Sequence, residues 1–307
     1  MPHPAKVKAK KSSTARHEAI QGYLFVTPYL IAFTIFTGIP FVSAFVLSFL
    51  DVKFITRLDD VHFVAFKNFI RFFSNKEALA ALGRTGLYTL IYVPVIMILS
   101  FILAYLLNKG VFWAKGIRSM FFLPYVSNMV AVAVVFQLML GPRGPFYLLQ
   151  KFFGVEDPII PLLNQKWALP VVVLIAVWKG IGLNFLTYLG ALQNVDKSQV
   201  EAARIDGCSH FTIYRRIILP LCMPQVSTML LFSFVWSWND YMGPYLYISD
   251  INKQMISVGI KLFASGLAQD YGAQMAGATL VLIPVIVAFF LCQKYFVEGI
   301  TAGAVKG

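Results

Sequence analysis

The residues best suited to chemistry are polar and aromatic side chains within strongly apolar stretches of the chain. Lys179 lies near the middle of one such stretch and Asp240 lies in another. A charged side chain at the centre of a bilayer costs about 2.5–3.5 kcal/mol on insertion scales, so it is expected to face other helices or water. Aromatic faces beside hydroxyl and amide groups suit a sugar, which presents C–H faces and hydroxyl edges. The candidates for a solute path are Trp178, Lys179, Gly180, Asn184, Ser233, Trp236, Ser237, Asn239 and Asp240.

The same side chains also have purely structural interpretations. Trp236 and Tyr241 lie toward the end of an apolar stretch, where a belt of interfacial aromatic residues is expected. Asn184 can hydrogen-bond a neighbouring helix. Lys179 can pair with a carboxylate of another chain. The sequence leaves these interpretations open beside a direct role in solute binding.

Catalytic and metal-binding motifs are absent from the sequence. The histidines lie outside the apolar stretches, and no HExxH, nucleophile elbow, carboxylate dyad or phosphate-binding GxxxxGK[ST] pattern occurs. The three cysteines lack CxxC spacing. We therefore predict no catalytic residue, no metal site and no cofactor bound by this chain. If the function requires ATP hydrolysis, another chain must supply it.

One polar segment between two apolar stretches has an unusual pattern, DKSQVEAARIDGCSHFTIYRRIILPLCMP from residue 196. Asp196 with Gln199, or Ser198 with Glu201, has the spacing of a capping box at a helix start. Gly207 stands where a left-handed cap would end that helix. A second helix can begin at the next serine, and a proline cannot donate within a helix, so Pro220 is predicted to end or kink it. The segment therefore reads as helix, glycine turn, helix.

This segment presents charged side chains beside apolar ones such as Ile205 and Phe211. A bare connector would not need an apolar face in water, whereas a docking element would, with its charges fixing the register of the partner. We therefore interpret residues 194–219 as a docking loop.

The elements that must position these residues are membrane-spanning helices. The 307 residues are 58% hydrophobic and 13% charged, about half the charged fraction of a soluble domain. A span needs about 20 apolar residues, and the chain has six such stretches. They are Tyr23–Leu50, Thr85–Asn108, Ser119–Leu140, Ala168–Gln193, Leu219–Ile248 and Ala273–Val297. The predicted fold class is an all-α integral membrane protein with six transmembrane helices.

The basic residues predict the orientation and the domain organisation. Residues 1–22 form a basic tail with Lys6, Lys8, Lys10, Lys11 and Arg16. The positive-inside rule then places both termini in the cytoplasm. We divide the chain into this tail, a six-helix transmembrane domain at 23–297 and a cytoplasmic tail at 298–307. The net charge of +12 is attributed to topology and lipid headgroups, so nucleic acid is not an expected partner.

Two outer loops carry local signals. Phe66, Phe69 and Phe72 have helical spacing, which predicts a short surface helix in the loop after the first span. The loop Gly141–Trp167 contains several Gly-Pro and Asp-Pro pairs and is predicted to form turns.

The segment from residue 201 resembles the EAA loop of ATP-binding cassette (ABC) importer permeases, of general form EAAxxDGAxxxxxFxxIxLPxxxP. The matching residues are Glu201, Ala202, Ala203, Asp206, Gly207, Ile217, Leu219, Pro220 and Pro224, with Cys208 in place of the usual alanine. The flanking strings WKGIGLNFLTYLGALQNV, SFVWSWNDYMGPYLYI and RSMFFLPYV are similar to binding-protein-dependent sugar permeases of the maltose type.

This resemblance implies a function and a set of partners. The chain would be the permease subunit of an importer that moves a sugar or oligosaccharide across the plasma membrane of a bacterium or archaeon. Its partners would be a second, different permease, a dimer of ATPase subunits, an extracytoplasmic solute-binding protein and the lipid bilayer. The resemblance assigns ATPase coupling to Glu201, Ala202, Ala203, Asp206, Gly207 and Pro220, and lets the C-terminal tail reach the ATPase subunits.

The sequence leaves another solute, another class of transporter and an enzyme as alternatives. The nearest is an importer of the same class for a polyol, glycerol phosphate or an amino acid, and an anionic solute would favour Lys179 in the path. A self-sufficient secondary transporter should show repeated broken helices, and no convincing repeat is seen. An intramembrane enzyme lacks its motifs in this sequence, so the chain is expected to be non-catalytic.

Overall fold

The computed structural model describes residues 13–53, 56–108, 110, 112–250, 253–260 and 270–304. Most of the predicted N-terminal tail, residues 1–12, lies outside the described residues, as do Lys109 and residues 305–307 of the predicted C-terminal tail. The helices are α1 Ser13–Phe33, α2 Ile39–Leu47, α3 Lys67–Ser74, α4 Lys76–Asn108, α5 Ala114–Val126, α6 Met129–Leu140, α7 Pro145–Phe152, α8 Ala168–Gln193, α9 Lys197–Ile205, α10 His210–Ile213, α11 Leu219–Trp238, α12 Met242–Tyr247, α13 Ile256–Gly259 and α14 Tyr271–Ala304.

Within the described part of the chain, six helical segments are long and apolar enough to cross a membrane. They are His17–Leu47, Lys76–Asn108, Met129–Phe152, Ala168–Gln193, His210–Trp238 and Tyr271–Lys294. This confirms the predicted fold class, although several boundaries differ. The first helix starts at Ser13 and the last continues to Ala304, so both predicted tails are partly helical.

The third predicted span is a broken helix, which corrects the prediction of one continuous helix over Ser119–Leu140. α5 ends at Val126, and Asn128 starts α6 by accepting hydrogen bonds from the backbone N–H groups of Val130 and Ala131 at 2.9 and 3.2 Å. An asparagine cap satisfies donors that the first turn of a helix leaves free, so it stabilises a new helix start inside the apolar segment.

Two further sequence predictions are corrected near the loops. The fifth span ends at Trp238 rather than Ile248, and α12 is a separate short helix beyond it. The loop Gly141–Trp167 contains α7 as well as turns. The helix α7 begins at Pro145. Proline suits the first position of a helix because the N–H that it lacks would have no partner there.

The helix that enters the membrane after the docking loop is continuous from His210 to Trp238, so it does not end at Pro220. A π-helical turn, Tyr214–Ile218, precedes this proline, and the Leu219 N–H donates to the Tyr214 carbonyl. Proline clashes with the carbonyl four residues earlier, and a wider turn relieves that clash. Another π-helical turn, Thr34–Gly38, precedes Pro40 between α1 and α2.

The end of the molecule opposite α9 is closed by polar contacts and a short hairpin. Strands β1, Leu50–Asp51, and β2, His62–Phe63, pair antiparallel, and a 3₁₀ turn, Leu58–Asp60, lies between them. The predicted surface helix is confirmed as α3, which packs against α14. Arg71 of α3 bonds to Asp270 at 2.8 Å, just before α14 begins.

α8 is the central helix of the bundle, because it packs against α4, α5 and α11. Gly182 of α8 lies against the backbone of α5. An added Cβ at this position would lie 2.6 Å from the Phe121 carbonyl oxygen and 2.9 Å from the Phe122 Cα. Both are backbone atoms, which cannot rotate away. By contrast, no residue in the most apolar part of α1 and α2 is buried within the monomer, so these side chains face lipid or another chain.

We predict that Gly182→Ala destabilises the protein by about 1–3 kcal/mol, because the α5 backbone must shift to admit a methyl group. The measurement is the midpoint of thermal unfolding of the purified protein in detergent. Gly190→Ala is the matched control on the same helix, since an added Cβ there meets nothing within 4 Å. Equal midpoints for the two variants would contradict the close approach of α5 and α8.

Candidate functional site

The docking loop begins with a capped helix. Asp196 precedes α9, and its carboxylate accepts the Ser198 backbone N–H at 2.9 Å. This hydrogen bond lowers the pKa of Asp196. Of the two helix starts predicted from the sequence, the structure has the one at Asp196.

Gly207 ends α9 in the predicted left-handed conformation, with φ +78°. The Gly207 N–H donates to the Arg204 carbonyl, and the Cys208 N–H donates to the Ala203 carbonyl, each at 3.0 Å. This pair of bonds is the Schellman motif, which satisfies carbonyls that would otherwise be free at the helix end. A residue with a Cβ is strained at this φ, so glycine fixes the direction in which the chain leaves α9.

The second helix starts at Ser209, as predicted. The Ser209 hydroxyl accepts the Thr212 backbone N–H at 3.2 Å and lies 2.9 Å from the Thr212 hydroxyl. α10 then runs through the π-helical turn into α11. We call residues 196–213 the elbow, because two short helices meet there at the glycine turn and lead directly into membrane helices.

One face of the elbow is buried against the membrane helices. Ala203 is 9% exposed and Ile213 is 3% exposed, and both belong to an apolar cluster with Tyr188 and Leu192 of α8 and Leu107 of α4. The elbow is therefore packed onto the ends of α4 and α8 and is not a free linker.

The opposite face of the elbow is open. Ile205 is 86% exposed and Phe211 is 69% exposed. Glu201, Ala202 and Asp206 are also exposed. The elbow thus combines two large exposed apolar side chains with charged neighbours, a composition typical of an interface rather than a solvated surface. Of the two adjacent alanines, Ala202 lies on the exposed face and Ala203 on the packed one.

A cavity of about 490 Å³ lies beside the packed contact between the elbow and the ends of α4 and α8. Glu201, Arg204 and His210 line it from the elbow, and Tyr105 and Asn108 line it from α4. Charged and polar groups of the elbow therefore have room to rearrange beside the ends of the membrane helices.

A second cavity, of about 310 Å³, lies between α4, α8, the end of α11 and the break between α5 and α6, and is called here the solute cavity. Its volume falls within the range of small-ligand pockets. Its lining residues are Tyr88, Tyr92, Tyr125, Met129, Ala176, Lys179, Gly180, Trp236, Ser237, Asp240 and Met242.

The Lys179 ammonium closes the end of α5. It donates to the carbonyls of Pro124, Tyr125 and Ser127 at 3.0, 3.3 and 2.7 Å. These carbonyls lie where α5 stops, and carbonyls at a helix end carry partial negative charge. An ammonium has three donors, so its whole hydrogen-bonding capacity is used in joining α8 to the break between α5 and α6.

The Asp240 carboxylate is held at the wall of the solute cavity. The Tyr88 hydroxyl and the Gly243 N–H each donate to it at 3.0 Å. Burial raises the pKa of Asp240, and these two hydrogen bonds oppose that rise because they favour the charged carboxylate. About four lone-pair sites are available on the two oxygens, so roughly two acceptor positions remain for a solute.

Trp236 and Gly180 shape the cavity. Trp236 is 46% exposed and stacks on Phe232 with ring centroids 6.1 Å apart. Gly180 makes room for a tyrosine of the facing helix, because an added Cβ would lie 2.6 Å from the Tyr92 hydroxyl. Ser237 lines the cavity, and its hydroxyl donates to the Phe234 carbonyl.

The structure thus brings together five of the nine predicted path residues: Lys179, Gly180, Trp236, Ser237 and Asp240. The other four lie elsewhere. Trp178 lines a separate apolar groove with Phe136. Asn184 and Ser233 are buried and bonded to each other at 3.3 Å between α8 and α11. Asn239 is exposed and donates to a carbonyl of its own helix.

Sequence reasoning missed the tyrosines that α4 supplies. Tyr88 and Tyr92 are one helical turn apart, and their rings stack with centroids 5.8 Å apart. The signal that could have revealed them is a pair of hydroxyl-bearing rings at i and i+4 within an apolar helix. Among the described residues, no group of three His, Cys, Asp or Glu side chains is close enough to hold a metal ion.

Comparison with protein families gives a match over most of the chain. The model described as "Binding-protein-dependent transport system inner membrane component" matches residues 69–302. That range includes the elbow and every residue of the solute cavity.

Individual relatives are named as transport permeases. A probable starch degradation products permease of Thermoanaerobacterium thermosulfurigenes is 37% identical over 52% of this chain and 59% of its own length. A lactose transport system permease of Rhizobium radiobacter is 29% identical over 76% of this chain and 80% of its own length.

Solved structures have the same fold. A chain of a bacterial alginate ABC transporter, in complex with a periplasmic protein carrying an alginate pentasaccharide, superposes with a TM-score of 0.78. The superposition covers 92% of this chain and 96% of that chain at 19% identity. At this identity, the likeness establishes the fold alone.

We predict that Lys179→Met lowers the midpoint of thermal unfolding by a few degrees, because the carbonyls at the α5 end lose a charged donor, at a cost of about 1–3 kcal/mol. Lys166→Met is the control, since Lys166 is exposed and, in the part of the chain that the structure describes, its hydrogen bond is that of its backbone N–H to the Asn164 side chain. A Lys179→Met protein as stable as this control would contradict the role of Lys179 in holding the helix break.

Proposed function

Because the chain belongs to the family of inner membrane components of binding-protein-dependent transport systems, we propose that it is the permease subunit of an ABC importer for oligosaccharides. The function rests on the family and on the names of its relatives, which include starch degradation product, lactose and maltodextrin permeases. The single structural observation that supports it best is the elbow, packed on one face and apolar on the other.

We assign the exposed face of the elbow to docking of the ATPase. Ile205 and Phe211 would insert into an apolar cleft of the ATPase, and Glu201 would pair with a basic residue at its rim. Each Å² of apolar surface that docking removes from water contributes about 25 cal/mol to the free energy of binding. Ala202 allows close approach, whereas Ala203 fixes the elbow to the membrane helices.

The remaining coupling residues set the geometry of the elbow. Asp206 lies at the C-terminal cap of α9, and Gly207 makes the turn. Pro220 follows the π-helical turn at the start of α11. These features fix the directions of α9 and α10, which lead into α8 and α11. A closing ATPase that displaced the elbow would therefore move α8 and α11 together with it.

The path from the elbow to the solute cavity is short along the chain. α8 ends at Gln193, and α9 begins at Lys197. α8 also supplies Lys179 and Gly180 to the cavity. A tilt of α8 would therefore change the shape of the cavity directly. Alternating access requires such coupling, because the two states of a transporter must differ in their contacts at both ends of the protein.

The partners follow from this assignment. The chain is a multi-pass membrane protein, and we propose the plasma membrane of a bacterium or archaeon, with the elbow in the cytoplasm. ATP and Mg²⁺ would bind the ATPase dimer, a second permease would complete the pathway and an extracytoplasmic binding protein would deliver the solute. One structural neighbour is described in complex with such a periplasmic protein.

We predict that Ile205→Ser reduces recovery of the ATPase with the affinity-purified complex, and solute-stimulated ATP hydrolysis, by at least about tenfold. The reason is the loss of an apolar contact at the centre of an interface. Folding should be unaffected, because this side chain is 86% exposed. Phe152→Ser is the control, since Phe152 is 83% exposed on α7, outside the elbow. Equal recovery from both variants would contradict docking at the elbow.

We predict that Gly207→Val prevents ATPase association and uptake while the protein still inserts into the membrane. Valine is strained in the left-handed region by about 1–2 kcal/mol, so the turn must open and misdirect α9. Gly154→Val is a matched control, because Gly154 has φ +80° in a similar turn after α7. It should have a similar cost in stability and retain the ATPase. Normal coupled ATP hydrolysis in Gly207→Val would refute the assignment.

A further inference from the structure

The solute cavity contains two charged side chains, and the structure gives them unequal roles. Lys179 and Asp240 are the charged residues of the lining. If both were equally available, the cavity would accept either sign of solute. Their hydrogen bonds show that they are not equally available.

Lys179 has no donor left for a solute anion. Its three N–H groups are directed at the carbonyls of Pro124, Tyr125 and Ser127. The helix end that it caps carries roughly half a negative charge, which offsets part of the ammonium charge. An acidic solute would have to break these contacts and take a charged donor from carbonyls that are at least partly buried.

Asp240 keeps its capacity to bind. Among the residues that the structure describes, two donors hold it, the Tyr88 hydroxyl and the Gly243 N–H. Adjacent hydroxyls of a sugar can donate to the remaining lone pairs, while the half-exposed ring of Trp236 offers a face for C–H groups.

We propose that the solute cavity selects uncharged oligosaccharides and rejects acidic ones, because its available charge is the Asp240 carboxylate. This inference rests on the proposed function as an importer and specifies its substrate class. It separates the chain from its structural neighbour, a transporter described as importing the acidic polysaccharide alginate. It also excludes glycerol phosphate as a solute of this cavity.

The first test measures the charge of the cavity without a solute. Met242→Cys places a thiol in the lining, 45% exposed and two residues from Asp240. The background carries Cys208→Ser, since Cys208 is the exposed native cysteine, whereas Cys222 and Cys292 are buried. The same background without Met242→Cys gives the blank. Labelling rates are compared for thiosulfonate reagents of matched size that carry a positive or a negative charge.

We expect the cationic reagent to react at least about tenfold faster than the anionic one, and Asp240→Asn to reduce that ratio severalfold toward unity. Asp157→Asn removes a carboxylate from an exposed loop outside the cavity and should leave the ratio unchanged. A ratio of unity or below in the parent, or no reaction with either reagent, would overturn the inference.

The second test uses the complete transporter in proteoliposomes with its ATPase and binding protein. Uptake is measured for maltotriose, lactose and diacetylchitobiose as neutral probes and for trigalacturonate as the acidic one. We expect ATP-dependent accumulation of at least one neutral probe and none of trigalacturonate. Accumulation of trigalacturonate at a comparable rate would refute charge selection. Failure of all the neutral probes would refute the proposed function, and the labelling ratio would still decide the charge of the cavity.

Discussion

Ala203 and Ile213 fix the elbow to the membrane helices, and this packing is the constraint on which the rest of the structure depends. Both side chains are buried in the cluster formed by the ends of α4 and α8. Without it, α9 would be a short helix on a flexible loop, and force applied to its exposed face would not reach the membrane. With it, one short element has a buried face against the bundle and an exposed face to which the proposed partner would dock.

The same principle explains the interior of α8. Lys179 and Gly182 join this helix to α5, one through hydrogen bonds to the helix end and the other through close backbone contact. Gly180 faces the solute cavity between them. The central helix is therefore held on the α5 side at two levels and leads at its end into the elbow. Because the part-buried Lys179 ammonium is bonded to carbonyls of the helix break, we infer that the Asp240 carboxylate is the charge of the cavity that remains available to a solute.

The features predicted correctly from sequence are those controlled by local backbone rules. Gly207 was placed in a left-handed turn because only glycine adopts that conformation without strain, and Ser209 was placed at a helix start because its hydroxyl satisfies a free N–H. The six spans were found because hydropathy requires no tertiary information.

The features that were missed depend on contacts distant in sequence. Tyr88 reaches Asp240 across 152 positions, and the carbonyls that bind Lys179 lie more than 50 positions away. Nothing in the local pattern distinguishes Lys179 as a helix cap from Lys179 as a solute ligand. The break before α6 lies in a mostly apolar stretch, where Pro124, Ser127 and the cap at Asn128 are its local signals. The sequence likewise could not show that Asn184 and Ser233 bond to each other instead of lining the cavity, because that depends on how α8 packs against α11.

The most direct measurement of the central claim is photo-crosslinking from the exposed face of the elbow in the intact complex. Benzoylphenylalanine at position 205 would be irradiated in membranes, and the captured protein identified by mass spectrometry. The account predicts capture of a nucleotide-hydrolysing subunit from the cytoplasmic side, with a yield that changes when ATP is added. Capture of an extracytoplasmic protein, or of lipid alone, would contradict it.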